Sequence, residues 1–438
     1  MEWYYALSLL LSLVVGLMII GVPVAFAFMA TNLIAAWIFI GGSASVLQVV
    51  DNSTALITRF QLAPVPFFIF MGSVFFYSGL AVRVFDALDR LLGRIPGRLC
   101  YLTVAGGTAF STLTGSSMAN TAMLGSLMVP EMQRRGYHWK MSLGPILGTG
   151  GLAMIIPPST LGILLATLAE VDVGKFLIAG ILPGLVLAAL YTALISYQVW
   201  RNPHYTPNYD TPRLGWQESI KVVITNIMPM ALVVLMVIGL IIFGIATPTE
   251  SAAFGVLGVA LLAKAFKMLT FEVVKTSLIS TIKVGGMVFF IILNSSIFSQ
   301  LLAFSGASSG LLQFATSFDI SPAAMLMMIF LSLLLIGMFM DPVSMMLITV
   351  PIFFPLVIAL GIDPLWFGLF MLLALEMSQT TPPFGLLLFV MLGVAPKGTT
   401  LKQVATAAAP FLLCDAILVG LIALFPALVL YLPSVMQQ

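Results

Sequence analysis

The sequence predicts an all-α polytopic membrane protein built from two inverted-topology repeats. The chain is 61% apolar and only 8% charged, too few charges for the surface of a soluble protein of 438 residues. Apolar runs of about 20 residues recur along it, long enough to cross roughly 30 Å of hydrocarbon. An offset of 225 residues also superimposes prolines of the first half on prolines of the second: Pro23 on Pro248, Pro130 on Pro355, Pro157 on Pro382 and Pro158 on Pro383.

Ten apolar stretches are predicted to cross the membrane. They lie at about 4–22, 24–41, 64–81, 141–170, 175–199, 226–245, 248–266, 284–305, 365–392 and 411–431. Two further apolar stretches, about 99–133 and 322–360, are broken in the middle by polar residues and predict re-entrant hairpins. The first stretch has no basic leader or small-residue cleavage site, so it predicts a spanning helix and not a removable signal.

The positions of lysine and arginine orient these spans. With both hairpins entering and leaving on one side, 16 of the 18 basic residues fall on one face of the membrane, and only Arg59 and Lys175 fall on the other. The basic face is cytoplasmic by the positive-inside rule. Both termini are therefore predicted to face outward.

Each half of the chain, 1–225 and 226–438, holds five predicted crossings plus one hairpin. An odd number of crossings turns the second half upside down relative to the first. Helical spacing in 83–95, matched by 309–320, predicts an amphipathic helix before each hairpin, either a pair of arms bracing the hairpins or ordinary connectors. Inverted repeats with polar breaks at membrane depth are typical of secondary transporters.

Four breaks are predicted inside the bilayer, at 114–120, 156–159, 340–344 and 378–383. Such breaks are costly unless they line a cavity or a site. Asp341 before Pro342, and Thr381 before Pro382, predict helix N-caps. The returning helix of the first hairpin has three candidate caps: Ser116, Ser117 and Asn120.

Helix N-termini at these breaks would present free amides and a partial positive charge, which suits an anionic substrate. The freed carbonyls and the hydroxyls would suit a hard cation such as sodium. The alternative interpretation of a lone proline in such a helix is a packing kink, but a double proline with Ser or Thr that recurs at the repeat offset favours a site.

Three carboxylates lie in apolar surroundings, where ionisable groups are usually functional. Asp341 is predicted either to cap a helix or to coordinate an ion. Glu376 is interpreted as a hydrogen-bonded support for the break at Ser378. Asp415 is interpreted as snorkelling to the surface or pairing with Lys402.

No enzymatic activity is predicted. The sequence has no H-E-x-x-H and no phosphate-binding G-x-x-x-x-G-K, which argues against ATP hydrolysis by this chain and for driving by an ion gradient. The lack of a catalytic dyad argues against a membrane enzyme. The breaks enclosed in hairpins argue against an open channel. No cofactor and no nucleic-acid partner are predicted.

Several segments resemble the large membrane subunit of tripartite ATP-independent periplasmic (TRAP) transporters, and the resemblance covers nearly the whole chain. They are Gly115–Ser117, Pro130–Met132 with Arg135–Tyr137, Ile155–Ser159, Phe176–Gly184 in the form F-x-x-A-G-I-L-P-G, Gly337–Asp341, Pro351–Pro355 and Thr381–Gly385.

The resemblance implies sodium-coupled import of an organic acid, such as a C4-dicarboxylate or sialic acid, across the bacterial inner membrane. It implies three further partners besides the lipid bilayer: a soluble periplasmic binding protein, a small four-helix membrane subunit and sodium as the coupling ion. It also implies an elevator mechanism. The predicted scaffold is about 1–81, 175–266 and 411–438, and the predicted mobile transport domain is about 99–170 and 284–392.

Two sodium sites are implied, one at each hairpin. The first takes Ser116, Ser117, Asn120, Ala153, Ile156 and Pro158; the second takes Gly337, Asp341, Ser378, Thr381 and Phe384. Family members often have glycine where Ala153 and Ser378 stand. No arginine sits at a tip, so a substrate carboxylate would depend on amides and hydroxyls, and the candidate substrate ligands are Ser116, Ser117, Ser159, Ser344 and Thr380.

One alternative stays open from the sequence. A stand-alone sodium/dicarboxylate symporter or anion permease of related fold would have the same repeats and breaks but would need no binding protein.

Overall fold

The computed structural model describes residues 2–41, 51, 54, 62–93, 95–114, 117–157, 159–207, 215–317 and 320–436. These residues form helices and connecting turns, with no strand among them. Two predicted site residues, Ser116 and Pro158, lie outside the described residues.

The first half contains ten α-helices within the described residues. They are α1 (Trp3–Ile19), α2 (Val24–Ala36), α3 (Pro64–Tyr77), α4 (Leu80–Leu92), α5 (Arg98–Thr114), α6 (Ser117–Arg134), α7 (Trp139–Ile155), α8 (Thr160–Leu168), α9 (Val173–Ala179) and α10 (Ile181–Arg201).

The second half continues with eleven more described helices. They are α11 (Trp216–Val222), α12 (Met228–Ile242), α13 (Pro248–Ala265), α14 (Phe271–Phe304), α15 (Ala307–Ser317), α16 (Pro322–Gly337), α17 (Pro342–Ala359), α18 (Pro364–Thr380), α19 (Leu386–Val394), α20 (Leu401–Leu424) and α21 (Ala427–Val435).

Helix starts in the second half are set by a capping residue followed by proline. Thr247, Ser321, Asp341 and Asp363 each accept a backbone N–H from the first turn of the helix that follows. Proline in the next position costs nothing there, because the first amides of a helix lack intrahelical partners. The cap predicted at Asp341 is confirmed.

Six described helical segments are long and apolar enough to cross a membrane, or eight if each bent helix pair counts as one span. One bent pair is α3 with α4, at 61°. The other is α7 with α8, at 44°. The predicted all-α polytopic class is therefore confirmed, and the helices predicted at 83–95 and 309–320 exist as α4 and α15.

Three predicted spans belong to helices that begin earlier than the span, because a polar segment taken for a connector is helical. α14 begins at Phe271 and not near 284. At 1.5 Å per residue its 34 residues extend about 51 Å, well beyond the hydrocarbon core. The last long span is α20, from Leu401 to Leu424, and not 411–431. The span predicted at 226–245 is helical from Trp216, through a π-helical turn at Val223–Ile227.

The helices that carry the hairpins and breaks have matching bounds in the two halves. Adding 225 to the bounds of α6 gives those of α17, and adding 225 to the bounds of α7 gives those of α18. Such agreement supports a duplicated unit. The opposite orientation of the two units stays a prediction.

The two halves interlock around α7 and α18, which pack on each other. The returning hairpin helix α6 packs on α19, the helix after the break in the other half, and α17 likewise packs on α8. Around this centre, α10 and α20 pack on α7, whereas α13 and α14 both pack on α3. α14 also packs on the hairpin helix α17.

Candidate ion and substrate site at the helix interruptions

The first hairpin tip is anchored to both halves of the protein. Ser117, the first residue of α6, is buried, and its hydroxyl donates to Glu376 Oε2 of α18 at 2.7 Å. One turn later, the Asn120 side-chain amide donates to Thr149 Oγ1 of α7 at 3.3 Å. Both contacts join α6 to another helix. The capping role of Ser116, Ser117 and Asn120 stays a prediction.

The break after α7 is real and is built as predicted. α7 ends at Ile155, and Ile156 adopts extended backbone, which interrupts the helical ladder. The helix resumes at Thr160, where Ser159 is the N-cap and its hydroxyl accepts the Gly162 N–H at 3.0 Å. Because the last four carbonyls of a helix lack intrahelical partners, backbone oxygens near Ala153 and Ile156 are available as ligands.

Glycines from a neighbouring segment allow the chain to approach this break closely. A Cβ at Gly180 would lie under 3.0 Å from the backbone oxygen of Ile155, and one at Gly184 would lie under 3.0 Å from the side chain of Ile156. Real Cβ atoms do not make such contacts. The glycines of the segment F-x-x-A-G-I-L-P-G therefore serve the packing of the junction between α9 and α10 onto the end of α7.

The second hairpin tip is organised by Asp341. Its Oδ2 accepts the backbone N–H groups of Val343 and Ser344, both at 3.1 Å, and its Oδ1 accepts the Ser344 hydroxyl. Gln379 of α18 donates to the carbonyls of Gly337 at 3.2 Å and Met340 at 3.0 Å, which ties the tip to α18.

The break after α18 differs from its prediction. Thr381 was expected to cap the following helix, but it lies at the C-terminal end of α18, and its hydroxyl donates back to the Met377 carbonyl at 2.6 Å. The next helix begins only at Leu386, after Gly385. Pro382, Pro383 and Phe384 lie in a turn between the two helices, so the double proline does not open the next helix.

The other predicted residues of this break divide into buried and exposed members. The Ser378 hydroxyl donates to the Leu375 carbonyl at 2.5 Å, and the Thr380 hydroxyl donates to the Met377 carbonyl at 3.1 Å. Phe384, in contrast, is 49% exposed and its ring lies 5.1 Å from that of Phe339. The two aromatic rings therefore form a small apolar platform where tip and break meet.

Two buried carboxylates behave differently from their prediction. Glu376 does not support the break at Ser378 but accepts from Ser117 on the other hairpin. Asp415 neither snorkels nor pairs with Lys402, since it is 4% exposed and accepts the Tyr191 hydroxyl at 2.5 Å. In the sequence, these two positions are marked only by a charged residue within an apolar stretch. The hydrogen-bond donors of Glu376 and Asp415 come from distant segments of the chain.

The chain matches the family model described as the tripartite ATP-independent periplasmic transporter, DctM component, over residues 11–428. It belongs to this family.

Similar proteins agree with this assignment. The C4-dicarboxylate TRAP transporter large permease protein DctM of Vibrio cholerae serotype O1 is 31% identical over 98% of this chain and 96% of its own length. The ectoine TRAP transporter large permease protein TeaC of Halomonas elongata is 27% identical over 97% of this chain and 98% of its own. The YdaH transporter of Alcanivorax borkumensis shares the fold, with a TM-score of 0.58 at 13% identity over 87% of this chain and 90% of that one.

The TRAP permease is thus a transport protein and a multi-pass protein of the inner membrane, as its apolar helices and family indicate. The family predicted from the sequence is confirmed over nearly the full length.

The oxygen atoms at the two interruptions fit a hard cation in chemical type. Hydroxyls of Ser117, Ser378 and Thr381 and backbone carbonyls at the ends of α7 and α18 are oxygen ligands of the kind that such ions prefer. Within the described residues, no cluster of three or more His, Cys, Asp or Glu could hold a metal ion. A cation in this region would therefore depend on hydroxyls, carbonyls and at most isolated carboxylates.

A cavity of about 790 Å³ lies elsewhere. It runs between α8, α9 and α17 on one side and α13 and α14 on the other, and Ser295, Ser299 and Gln300 of α14 give it a polar wall. None of the candidate substrate ligands among the described residues lines it. It lies where α14 passes α8 and α17, and α14 also packs directly on both of those helices.

Proposed function

We propose that this permease is the membrane subunit of a sodium-coupled secondary transporter that imports an organic acid delivered by a soluble periplasmic binding protein. One observation carries the proposal. Each returning hairpin helix, α6 or α17, packs on the helix that follows the break in the other half, α19 or α8. Interrupted helices that meet at a repeat interface are the usual location of substrate and coupling-ion sites in secondary transporters.

The chemistry of the interruptions supports an anionic or carboxylate-bearing substrate. Helix starts at Ser117, Thr160, Pro342 and Leu386 present amides without intrahelical partners and the positive end of a helix dipole. No arginine is present at either tip. Recognition of a carboxylate would then rest on amides and on the candidate hydroxyls already named. Names of relatives mention both a C4-dicarboxylate and ectoine, so the substrate class is an organic acid without further assignment.

The coupling ions are proposed to bind at the two interruptions. The first site would use Ser117, Asn120, Ala153 and Ile156, in part through backbone oxygens. The second would use Gly337, Asp341, Ser378, Thr381 and Phe384, again in part through the backbone. Both sets are oxygen-rich where α7 and α18 end, which supports sodium over a softer metal.

Transport is proposed to follow an elevator movement of the hairpin body against a scaffold. The packing argues for two changes to the predicted division. Since α10 and α20 pack on α7, we assign them to the mobile body and not to the scaffold. Since α14 packs on α2 and α3, we assign it to the scaffold, although its residues from 284 onward were predicted to move. The scaffold then consists of α1–α3 and α12–α14. A small membrane subunit is proposed to brace this scaffold, as the family implies.

The decisive experiment is uptake into proteoliposomes with candidate organic acids, with and without sodium, a binding protein and the small subunit. The proposal requires uptake that needs both sodium and the binding protein. Uptake by this chain alone with ordinary saturation kinetics would favour the stand-alone symporter. Uptake independent of a sodium gradient would refute sodium coupling.

Cysteine labelling tests the proposed orientation. Cys100 and Cys414 are both buried, so they can be replaced to give a cysteine-free background. A cysteine at Arg134, whose side chain is 77% exposed, should react only with a reagent supplied from the cytoplasm. A cysteine at Asp363 should react only from outside. The reverse pattern would overturn the predicted orientation of the chain, and labelling of both positions from the same side would overturn the inverted arrangement.

A further inference from the structure

Glu376 is a buried carboxylate with only half of its hydrogen-bonding capacity used. Its side chain lies on α18 and the residue is 2% exposed. Oε2 accepts the Ser117 hydroxyl at 2.7 Å, whereas Oε1 has no hydrogen-bond partner among the described residues. Oε1 faces Gly150 of α7, where even a Cβ would clash with it.

Among the residues that the structure describes, no basic side chain forms an ion pair with this carboxylate. The described ion pairs lie near the predicted cytoplasmic face and involve Asp89 and Glu131, and none joins Glu376 to a lysine, arginine or histidine. The titratable groups that act on Glu376 or its neighbourhood are Asp415 of α20 and Tyr191 of α10, and neither is cationic. An ionised carboxylate in apolar surroundings is costly without a counter-charge.

The position of Glu376 suggests what could offset the cost of burying its charge. Through Ser117 it touches the first hairpin tip, and Ser378, a residue of the second interruption, follows two positions later on the same helix. Glu376 is therefore the carboxylate that lies between the two interruptions. Asp341, the other carboxylate at a tip, is already engaged by two backbone amides and a hydroxyl.

We propose that Glu376 is the fixed negative charge that stabilises the cations bound at the two interruptions. This inference rests on the proposed sodium coupling. Gly150 makes this placement of the carboxylate possible, because only a residue without a side chain lets α7 pass so close to Glu376. Glu376 thus acts as a positioning and charge-compensating residue and need not contact the substrate.

The test separates charge from shape. E376Q keeps the size and an oxygen that can accept from Ser117 but removes the charge, whereas E376D keeps the charge on a shorter side chain. D415N is the matched control, because Asp415 is a second buried carboxylate that contacts Tyr191 and neither hairpin tip. The full-length permease in lipid nanodiscs is titrated with sodium chloride against choline chloride, and both the melting temperature and equilibrium binding of radioactive sodium are recorded.

The wild type and D415N should be stabilised by sodium with similar half-saturating concentrations. E376Q should raise that concentration about tenfold or more, and E376D should raise it less than E376Q. A role in shape alone predicts the opposite order, because Gln is the closer match in size. E376Q with the sodium response of the wild type would overturn the inference and leave sodium coupling intact. A wild type that neither binds sodium nor is stabilised by it would overturn both.

Discussion

Gly180 lies where the start of α10 packs against the end of α7, and alanine at this position tests how the first interruption is held. The backbone of Gly180 is ordinary right-handed helix, with φ −74° and ψ −16°, so alanine adds no backbone strain. Its Cβ, however, would meet the backbone oxygen of Ile155 at well under 3.0 Å. A backbone oxygen cannot rotate away as a side chain can, so one helix must move by roughly 1 Å to restore ordinary contact.

The cost follows from two opposed terms. Overpacking of a filled interior costs about 1–3 kcal/mol, and the clash with backbone places G180A near the top of that range. Alanine recovers about 0.4–1 kcal/mol by restricting the unfolded chain. The net loss of about 2 kcal/mol corresponds to a melting temperature lower by about 2 °C, since the unfolding entropy grows with a chain of 438 residues.

The assay is thermal unfolding in detergent, with and without sodium. G286A is the matched control, because a Cβ at this exposed helical position meets nothing within 4 Å. It should unfold at the wild-type temperature or slightly above it. G180A should unfold earlier and respond more weakly to sodium, because Ile155 and Ile156 move with the break. If G180A unfolds at the same temperature as G286A and responds to sodium as the wild type does, the packing argument is refuted.

Three further changes probe the second tip and the buried pair. D341N keeps a cap as good as Asp and should unfold within about 0.5 kcal/mol of the wild type, yet it should lower sodium-dependent uptake; unchanged sodium dependence would leave Asp341 only a capping role. G337A places a Cβ against Ser378 Oγ and should raise the half-saturating sodium concentration for uptake about tenfold or more; a wild-type value would separate this contact from ion binding. Y191F removes the donor to buried Asp415 and should lower the free energy of unfolding by about 1–3 kcal/mol, less so in a D415N background; equal losses in both backgrounds would contradict that pairing.

Prediction from sequence succeeded where the signal is local. Apolar runs, the proline that follows Asp341, and the double proline at 157–158 predict helices, starts and breaks, because the chain within one or two turns decides them. It failed at Thr381, where the same Thr-Pro pattern terminates a helix and does not start one. Capping preference alone cannot choose between the two, because the choice depends on how the next two prolines turn.

The partners of buried polar groups could not be predicted. Glu376 accepts from Ser117, 259 positions away, and Asp415 accepts from Tyr191, 224 positions away. Sequence reasoning assigned each carboxylate to a neighbour along its own helix or to the nearest lysine. A buried acid takes whatever donor the packing of other helices brings to it, and no local pattern encodes that donor.

By itself, the sequence determined a helical membrane protein, its family and several of the places where its helices break, because hydropathy, prolines and caps act over short distances. Only the tertiary structure decided which helix ends meet: α6 on α19, α17 on α8, and Glu376 between the two interruptions. The physical reason is that contacts between helices depend on close packing. Small residues such as Gly150 and Gly180 permit a close approach, but the sequence around each glycine does not determine which helix approaches it.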